Sequence, residues 1–192
     1  MRDLQLETML GIDFETSGHS RWSRNQAVEI GLVEIKPDGT WSILASSLLS
    51  GARWISPRAS EIHGIRLWHC RGMPPLKAFA SILKEVKELP FCVHGKGTER
   101  KVLREELGFA PERWVDSLTL SRRHLKNCPD YRLETVTAHL GLKPELDRML
   151  PRGRWHQAAY DAAASALIVR EIEKNEGATA RGLPEIIPTR TI

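Results

Sequence analysis

Apolar positions recur along this chain with two different periods, and the places where the period changes mark its elements. Residues 8–14 (TMLGIDF) form a short apolar run that predicts a buried strand. Over 28–36, Val28, Ile30 and Leu32 alternate with Glu29, Gly31 and Glu34, the period of a strand, although Val33 breaks the alternation. Pro37-Asp38-Gly39 is a turn sequence, so 40–49 reads as the returning arm of a hairpin. The period then lengthens. Leu76, Phe79, Ala80, Leu83 and Val86 stand at helical spacing, with Lys and Glu between them, and predict a helix over 74–89. Residues 91–94 (FCVH) predict a short buried strand, 98–107 a helix stopping at Gly108, and Val115 a last strand. Further helices are predicted over 117–125, 133–140 and 158–174. A three-strand meander followed by strand–helix alternation specifies an α/β fold whose sheet runs in mixed directions. Residues 175–192, with Gly177, Gly182, Pro184 and Pro188, read as a flexible C-terminal tail, leaving 1–174 as one domain.

Composition narrows the classes. A chain of 192 residues with 41% hydrophobic and 27% charged residues suits one folded domain with its own core. No apolar run is long enough to cross a bilayer, and the first residues lack signal-peptide character, so no membrane partner is expected. Cys70, Cys92 and Cys128 form no C-x-x-C pair, which leaves neither a disulfide framework nor a zinc ribbon and makes the cytoplasm the expected location. The net charge is +4, and 19 of the 28 basic residues are arginine, whose planar fork matches phosphate oxygens. Charge alone favours solvated helix faces slightly over a nucleic-acid partner.

Three acidic segments carry the chemistry. In Asp13-Phe14-Glu15, at the end of the first strand, residues i and i+2 share a face, so two carboxylates project together. Like charges that close call for a cation, and hard oxygen ligands suit Mg²⁺ or Mn²⁺. Thr16-Ser17-Gly18 follows at once. Glu99 sits in the first turn of the helix after Gly95 and Gly97, where an acid is also an ordinary helix start. His156 and Asp161 precede and open an alanine-rich helix; they converge only if His156 lies in the loop and Asp161 in the early helix. Each segment alone is more often a solvated terminus.

In order and together, the segments resemble the DEDDh, or DnaQ-like, 3′–5′ exonucleases. Asp13–Gly18 resembles the first motif of that family, His94–Glu99 the second, and His156–Asp161 the H-x4-D of the third; Glu29-Ile30-Gly31, Ile62-His63-Gly64-Ile65 and Asp116-Ser117-Leu118 fall in sequence between them. Gln157 stands where the sister class has tyrosine, and Tyr160, beside Asp161, cannot replace it, so the histidine subclass is the one resembled. The resemblance implies a ribonuclease H-like, mixed five-stranded sheet flanked by helices. It implies a two-metal hydrolysis of single-stranded or frayed DNA or RNA 3′ ends, releasing nucleoside 5′-monophosphates. Asp13, Glu15, Glu99 and Asp161 would hold two Mg²⁺ ions, with Mn²⁺ able to substitute, and His156 would take the proton of the attacking water. Thr16, Ser17 and His63 would contact the terminal nucleotide; His63 suits a turn cap equally well. Trp155 and Trp22 could stack on bases, whereas Trp41, Trp54, Trp68 and Trp114 are assigned to core edges. A homodimer, or a polymerase or other nucleic-acid-processing partner, is compatible with the family.

One departure stands out. Glu99 and Gly95 replace the aspartate and asparagine of the second motif, and the extra methylene moves the carboxylate by about an ångström. The alternative reading is therefore a catalytically weakened nucleic-acid end-binding or polymerase-accessory module. The tail sequence Leu183-Pro-Glu-Ile-Ile-Pro188 would offer a short docking segment for a protein partner.

Overall fold

The first apolar run forms β1 (Met9–Thr16), the middle strand of a five-stranded sheet, in a computed structural model that describes residues 7–18 and 24–180. β2 (Ala27–Ile35) and β3 (Trp41–Leu48) continue from it as an antiparallel meander. Asp38 closes the turn between them by accepting from the Thr40 amide at 2.9 Å and the Thr40 hydroxyl at 2.7 Å. The chain then crosses to the other side of β1. It passes through α1 (Pro57–His63), 3₁₀ turns at Leu67–Cys70 and Leu76–Phe79, and α2 (Ala80–Glu85). β4 (Pro90–Val93), α3 (Gly97–Leu107) and β5 (Arg113–Asp116) follow, both strands running parallel to β1. The strand order is β3-β2-β1-β4-β5. The chain closes with α4 (Ser117–His124), α5 (Leu133–His139), α6 (Lys143–Met149) and α7 (Ala158–Ala180). This is the mixed α/β architecture expected from the sequence.

Strand alternation sorts the core into two layers. Leu10, Ile12 and Phe14 of β1 join Ile30, Leu32, Phe91 and Val93 on one face, covered by Leu83 of α2 and by Val102 and Leu103 of α3. Met9, Val33, Ile35 and Cys92 line the other, beneath α7. β2 is thus covered on both faces, which is why Val33 breaks its alternation. From Ala158 to Val169 α7 is buried all round, and its alanines let the backbone lie close to the sheet.

Several details differ from expectation. The region 74–89 is a 3₁₀ turn followed by the short α2, because the Lys87 carbonyl accepts the Glu112 amide at 3.1 Å and is used beside β5. α1 and α6 carry too few apolar positions to show a period. α7 runs to Ala180, past the tail boundary drawn at 174, and Trp22 and the 183–188 segment lie outside the described residues. Trp41, Trp54 and Trp68 are exposed rather than core edges, Trp68 at 58%, with the Arg66 guanidinium 5.3 Å from its ring centre. Trp114 does pack on the core, against Phe91.

Candidate active site

The pleat of β1 sets the first two acids. Phe14 points into the layer beneath α2 and α3, so Asp13 and Glu15 stand on the face covered by α7. In the β1–β2 register Asp13 lies opposite Gly31 and Glu15 opposite Glu29. Two glycines on this face control how near α7 comes. A Cβ on Gly11 would overlap the carbonyl of Ala162, and one on Gly31 the backbone of Ala158 and Ala159. Because neither has a side chain, the first turn of α7 rests on the strands and carries Asp161 down to the carboxylates of β1. The Ala158 amide donates to Glu29 Oε2 at 3.1 Å and pins that turn to β2.

Glu99 arrives from the opposite direction. In α3, Glu99, Val102, Leu103 and Glu106 occupy i, i+3, i+4 and i+7, the face turned to the sheet. Glu106 accepts the Ala27 amide at 2.9 Å, while Glu99 is 94% removed from solvent (6% exposed). Its charge acts on Asp13, disfavouring the ionised form of that carboxyl.

His156 lies in the loop before α7 and is exposed. Its φ of 63° makes it the one non-glycine residue in left-handed backbone among the described residues, and its amide donates to Asp161 Oδ2 at 3.2 Å. That bond fixes loop and helix together. Ligand atoms of Glu15, His156 and Asp161 all fall within 4.8 Å of one another.

Crowding shows in the protonation equilibria. Asp13 is raised well above the ordinary carboxylate range by burial, then by Asp161, Glu99, Glu15 and Glu29. Burial and Glu29 push Glu15 to about 7. Burial, then Asp116 and Glu15, push Glu99 to about 7 against the pull of its own amide. Burial and Glu15 push Asp161 to about 7, against the bond from His156. Asp13 Oδ2, Glu99 Oε2 and Asp161 Oδ1 are buried with no hydrogen-bond partner among the described residues. Oxygen ligands of Glu15 and Asp161 with a His156 nitrogen within 4.8 Å, beside these unpartnered oxygens, are donors of the kind a hard divalent cation accepts.

The remaining candidates fall into supporting places. Ser17 is fully buried; its amide donates to the Gln26 carbonyl at 2.8 Å and its hydroxyl oxygen accepts the Gln26 amide at 3.0 Å. The loop after β1 depends on these bonds. His63 is also buried. Its Nδ1 accepts the Ile65 amide at 2.9 Å, which leaves Nε2 to donate to the Thr16 carbonyl at 3.2 Å, so the ring caps a turn and holds the end of β1. Thr16 itself is half-buried at the rim. Trp155 leans edge-on against Tyr160, with ring centres 5.0 Å apart, and part of its surface belongs to the core. His94, which opens the second motif, donates from Nε2 to the Tyr131 carbonyl at 2.8 Å and meets the Ser117 hydroxyl at 2.8 Å through Nδ1. It ties β4 to the segment before α5.

Glu29 and Asp116 join the cluster without having been selected as site residues from the sequence. Glu29 looked like the solvent side of an alternating strand. Its register partner Glu15 gives it away, but only once β1 and β2 are paired. Asp116 caps α4 by accepting from the Leu118 amide, and also accepts the Gly95 amide at 3.0 Å, so it holds the loop that precedes Glu99.

The RNase_T exonuclease profile matches residues 10–169. No curated protein matches the chain in sequence. Among solved structures, exonuclease X in complex with 5′-overhanging duplex DNA is similar at a TM-score of 0.66 and 23% identity, covering 93% of this chain and 96% of that one. A 3′-exonuclease described in specific recognition of a histone mRNA stem-loop has a TM-score of 0.60 and 13% identity over 88% of this chain and 82% of its own. Cell-death related nuclease 4 has a TM-score of 0.66 and 10% identity over 88% and 64%. At these identities the likeness is one of fold. Among the described residues no helix is long and apolar enough to cross a membrane.

Proposed function

Because the chain belongs to the RNase_T family of DnaQ-like exonucleases, within the ribonuclease H-like superfamily, we propose that it removes nucleotides one at a time from nucleic-acid 3′ ends. What supports this reading is the grouping of Glu15, His156 and Asp161 ligand atoms within 4.8 Å, together with the buried Asp13 on which Asp161, Glu99 and Glu15 all act and three buried carboxylate oxygens without partners. These four side chains would hold two divalent cations, Mg²⁺ by preference for hard oxygens, with Mn²⁺ able to substitute. Bound there, the cations supply charge compensation to the phosphate and acidify the attacking water.

The chain's own residues do the rest. His156, exposed beside Glu15 and Asp161, accepts the water's proton on a ring nitrogen. The water oxygen bonds to phosphorus, the bond from phosphorus to the 3′ oxygen of the preceding nucleotide breaks, and the proton passes to that oxygen. A nucleoside 5′-monophosphate and a strand one residue shorter, again ending in a hydroxyl, result. The bond from the His156 amide to Asp161 Oδ2 keeps the imidazole at the site, although the residue sits in a loop. Glu29 is a positioning residue, since it holds the first turn of α7 through the Ala158 amide. Single strands and frayed ends suit the site, because one terminal nucleotide must reach the carboxylates alone.

A time course on matched 5′-labelled DNA and RNA oligonucleotides, with Mg²⁺, Mn²⁺ or EDTA, tests the reading. It expects a ladder shortening from the 3′ end that EDTA abolishes. Metal-independent retention of the strand without shortening would support the end-binding alternative instead.

A further inference from the structure

The face of α3 opposite Glu99 borders a groove of about 660 Å³ that the reaction does not use. Lys96, Arg100, Lys101 and Arg104 line it together with Phe109 and Trp114. No acid lines it. The four cations are exposed, and none takes part in an ion pair among the described residues. Of the acids near it, Glu106 is engaged by the Ala27 amide and Glu112 by Lys87 at 3.4 Å, while the exposed Glu105 of α3 does not line the groove. The two rings are half-buried and rest on Phe91, at 6.2 and 6.0 Å between ring centres, so the apolar lining is fixed in place.

We propose that this groove binds a nucleic-acid strand, its phosphates along the cationic face of α3 and a base against Trp114 and Phe109. The proposal rests on the nuclease reading only in naming the strand as the substrate's own continuation. Length and chemistry both fit. From Lys96 to Arg104 the helix rises about 12 Å, the span of three to four stacked nucleotides. Aromatic rings and cations lining one groove match the bases and phosphates of a single strand, a pairing an acidic protein surface lacks. Lys96 and Gly97 of the groove stand at the start of α3, the end of the helix whose first turn carries Glu99, so a strand leaving the carboxylates would round that end to reach it. It supplies a hold on the body of the strand while its terminal nucleotide is exchanged.

The test is binding of a 5′-fluorescent oligothymidylate of roughly 20 nucleotides in EDTA, by anisotropy across a salt series. Arg100→Gln with Arg104→Gln is expected to weaken binding about tenfold and to flatten the log–log salt dependence by about 1.4, or roughly 0.7 per lost phosphate contact. Lys96→Gln with Lys101→Gln should behave alike, and because all four residues are exposed, each variant should keep the parent's melting temperature. An iodouridine-substituted strand should photocrosslink to the peptide carrying Phe109 and Trp114. Wild-type affinity and slope in both double variants would overturn the proposal, as would polyglutamate displacing the strand as effectively as unlabelled oligothymidylate. No hydrolysis is involved: binding in the groove without cleavage would sink only the nuclease reading, and cleavage with unchanged binding only the groove.

Discussion

Replacing Glu99 by glutamine should make the metal-free protein more stable and the metal-loaded protein inactive. Glu99 is buried, one of its oxygens has no partner, and its folded pKa stands at about 7 against an ordinary 4.5. The sign follows from where each state holds the proton. Below pH 4.5 folded and unfolded chains are both protonated, and the group costs nothing. Between 4.5 and 7 the unfolded chain releases its proton while the folded one keeps it, so stability falls as pH rises. Above 7 both are ionised and the full deficit remains. A rise from 4.5 to about 7 corresponds to roughly 3 kcal/mol. That is a ceiling for the substitution, because the glutamine amide must still find partners in the same pocket. At about 2–4 °C per kcal/mol for a domain of this size, the melting temperature in EDTA at pH 8 should rise by several degrees. At pH 4.5 the gain should vanish. Saturating Mg²⁺ at pH 8 should reverse the order, stabilising the parent more than the variant, since the ion binds only the intact donor set. Scanning calorimetry at both pH values, with and without metal, reads all four conditions. A melting-temperature difference between Glu99→Gln and the parent in EDTA that stays the same from pH 4.5 to pH 8 would refute the claim that ionised carboxylates are crowded here, because the cost of the amide does not change with pH.

Further outcomes follow from the same geometry. His156→Asn tolerates left-handed backbone and should fold as the parent does, retaining Mn²⁺ binding by calorimetry while losing on the order of 10²–10⁴ in kcat. Gly31→Ala places a methyl against the Ala158 backbone, and chemical denaturation should show a loss of about 1–3 kcal/mol together with weaker metal binding, because α7 cannot seat. Asp116→Ala removes the α4 cap and the bond to Gly95, and should cost about 0.5–2 kcal/mol by the same measurement. Ser17→Ala leaves the Gln26 amide without its acceptor and should lower the melting temperature, with KM for an oligonucleotide unchanged.

Much of the architecture is written in hydrophobic period, which is why the meander, β4, α3 and the start of α7 are legible from sequence. α1 and α6 are single short helices with few buried positions, too brief for a period to emerge. The site is legible differently. Asp13 with Glu15 shows as strand pleat, and the placement of His156 before Asp161 as helix geometry, each needing only local rules. Glu29 needs the register of two strands, and the meaning of Gly11 and Gly31 needs the path of a helix more than a hundred residues away. Ser17 and His63 have the residue types of ligand contacts, yet both are buried and bonded to backbone partners that no spacing reveals. The exposed tryptophans make the converse point: size alone does not bury a ring on an edge strand or in a short 3₁₀ turn.

The central claim is that four carboxylates from β1, α3 and α7 hold divalent cations between them, and anomalous scattering from a crystal soaked in Mn²⁺ addresses it most directly. Peaks should lie among Asp13, Glu15, Glu99 and Asp161, and should disappear in Asp13→Asn. Manganese bound elsewhere, with these side chains turned apart, would contradict it.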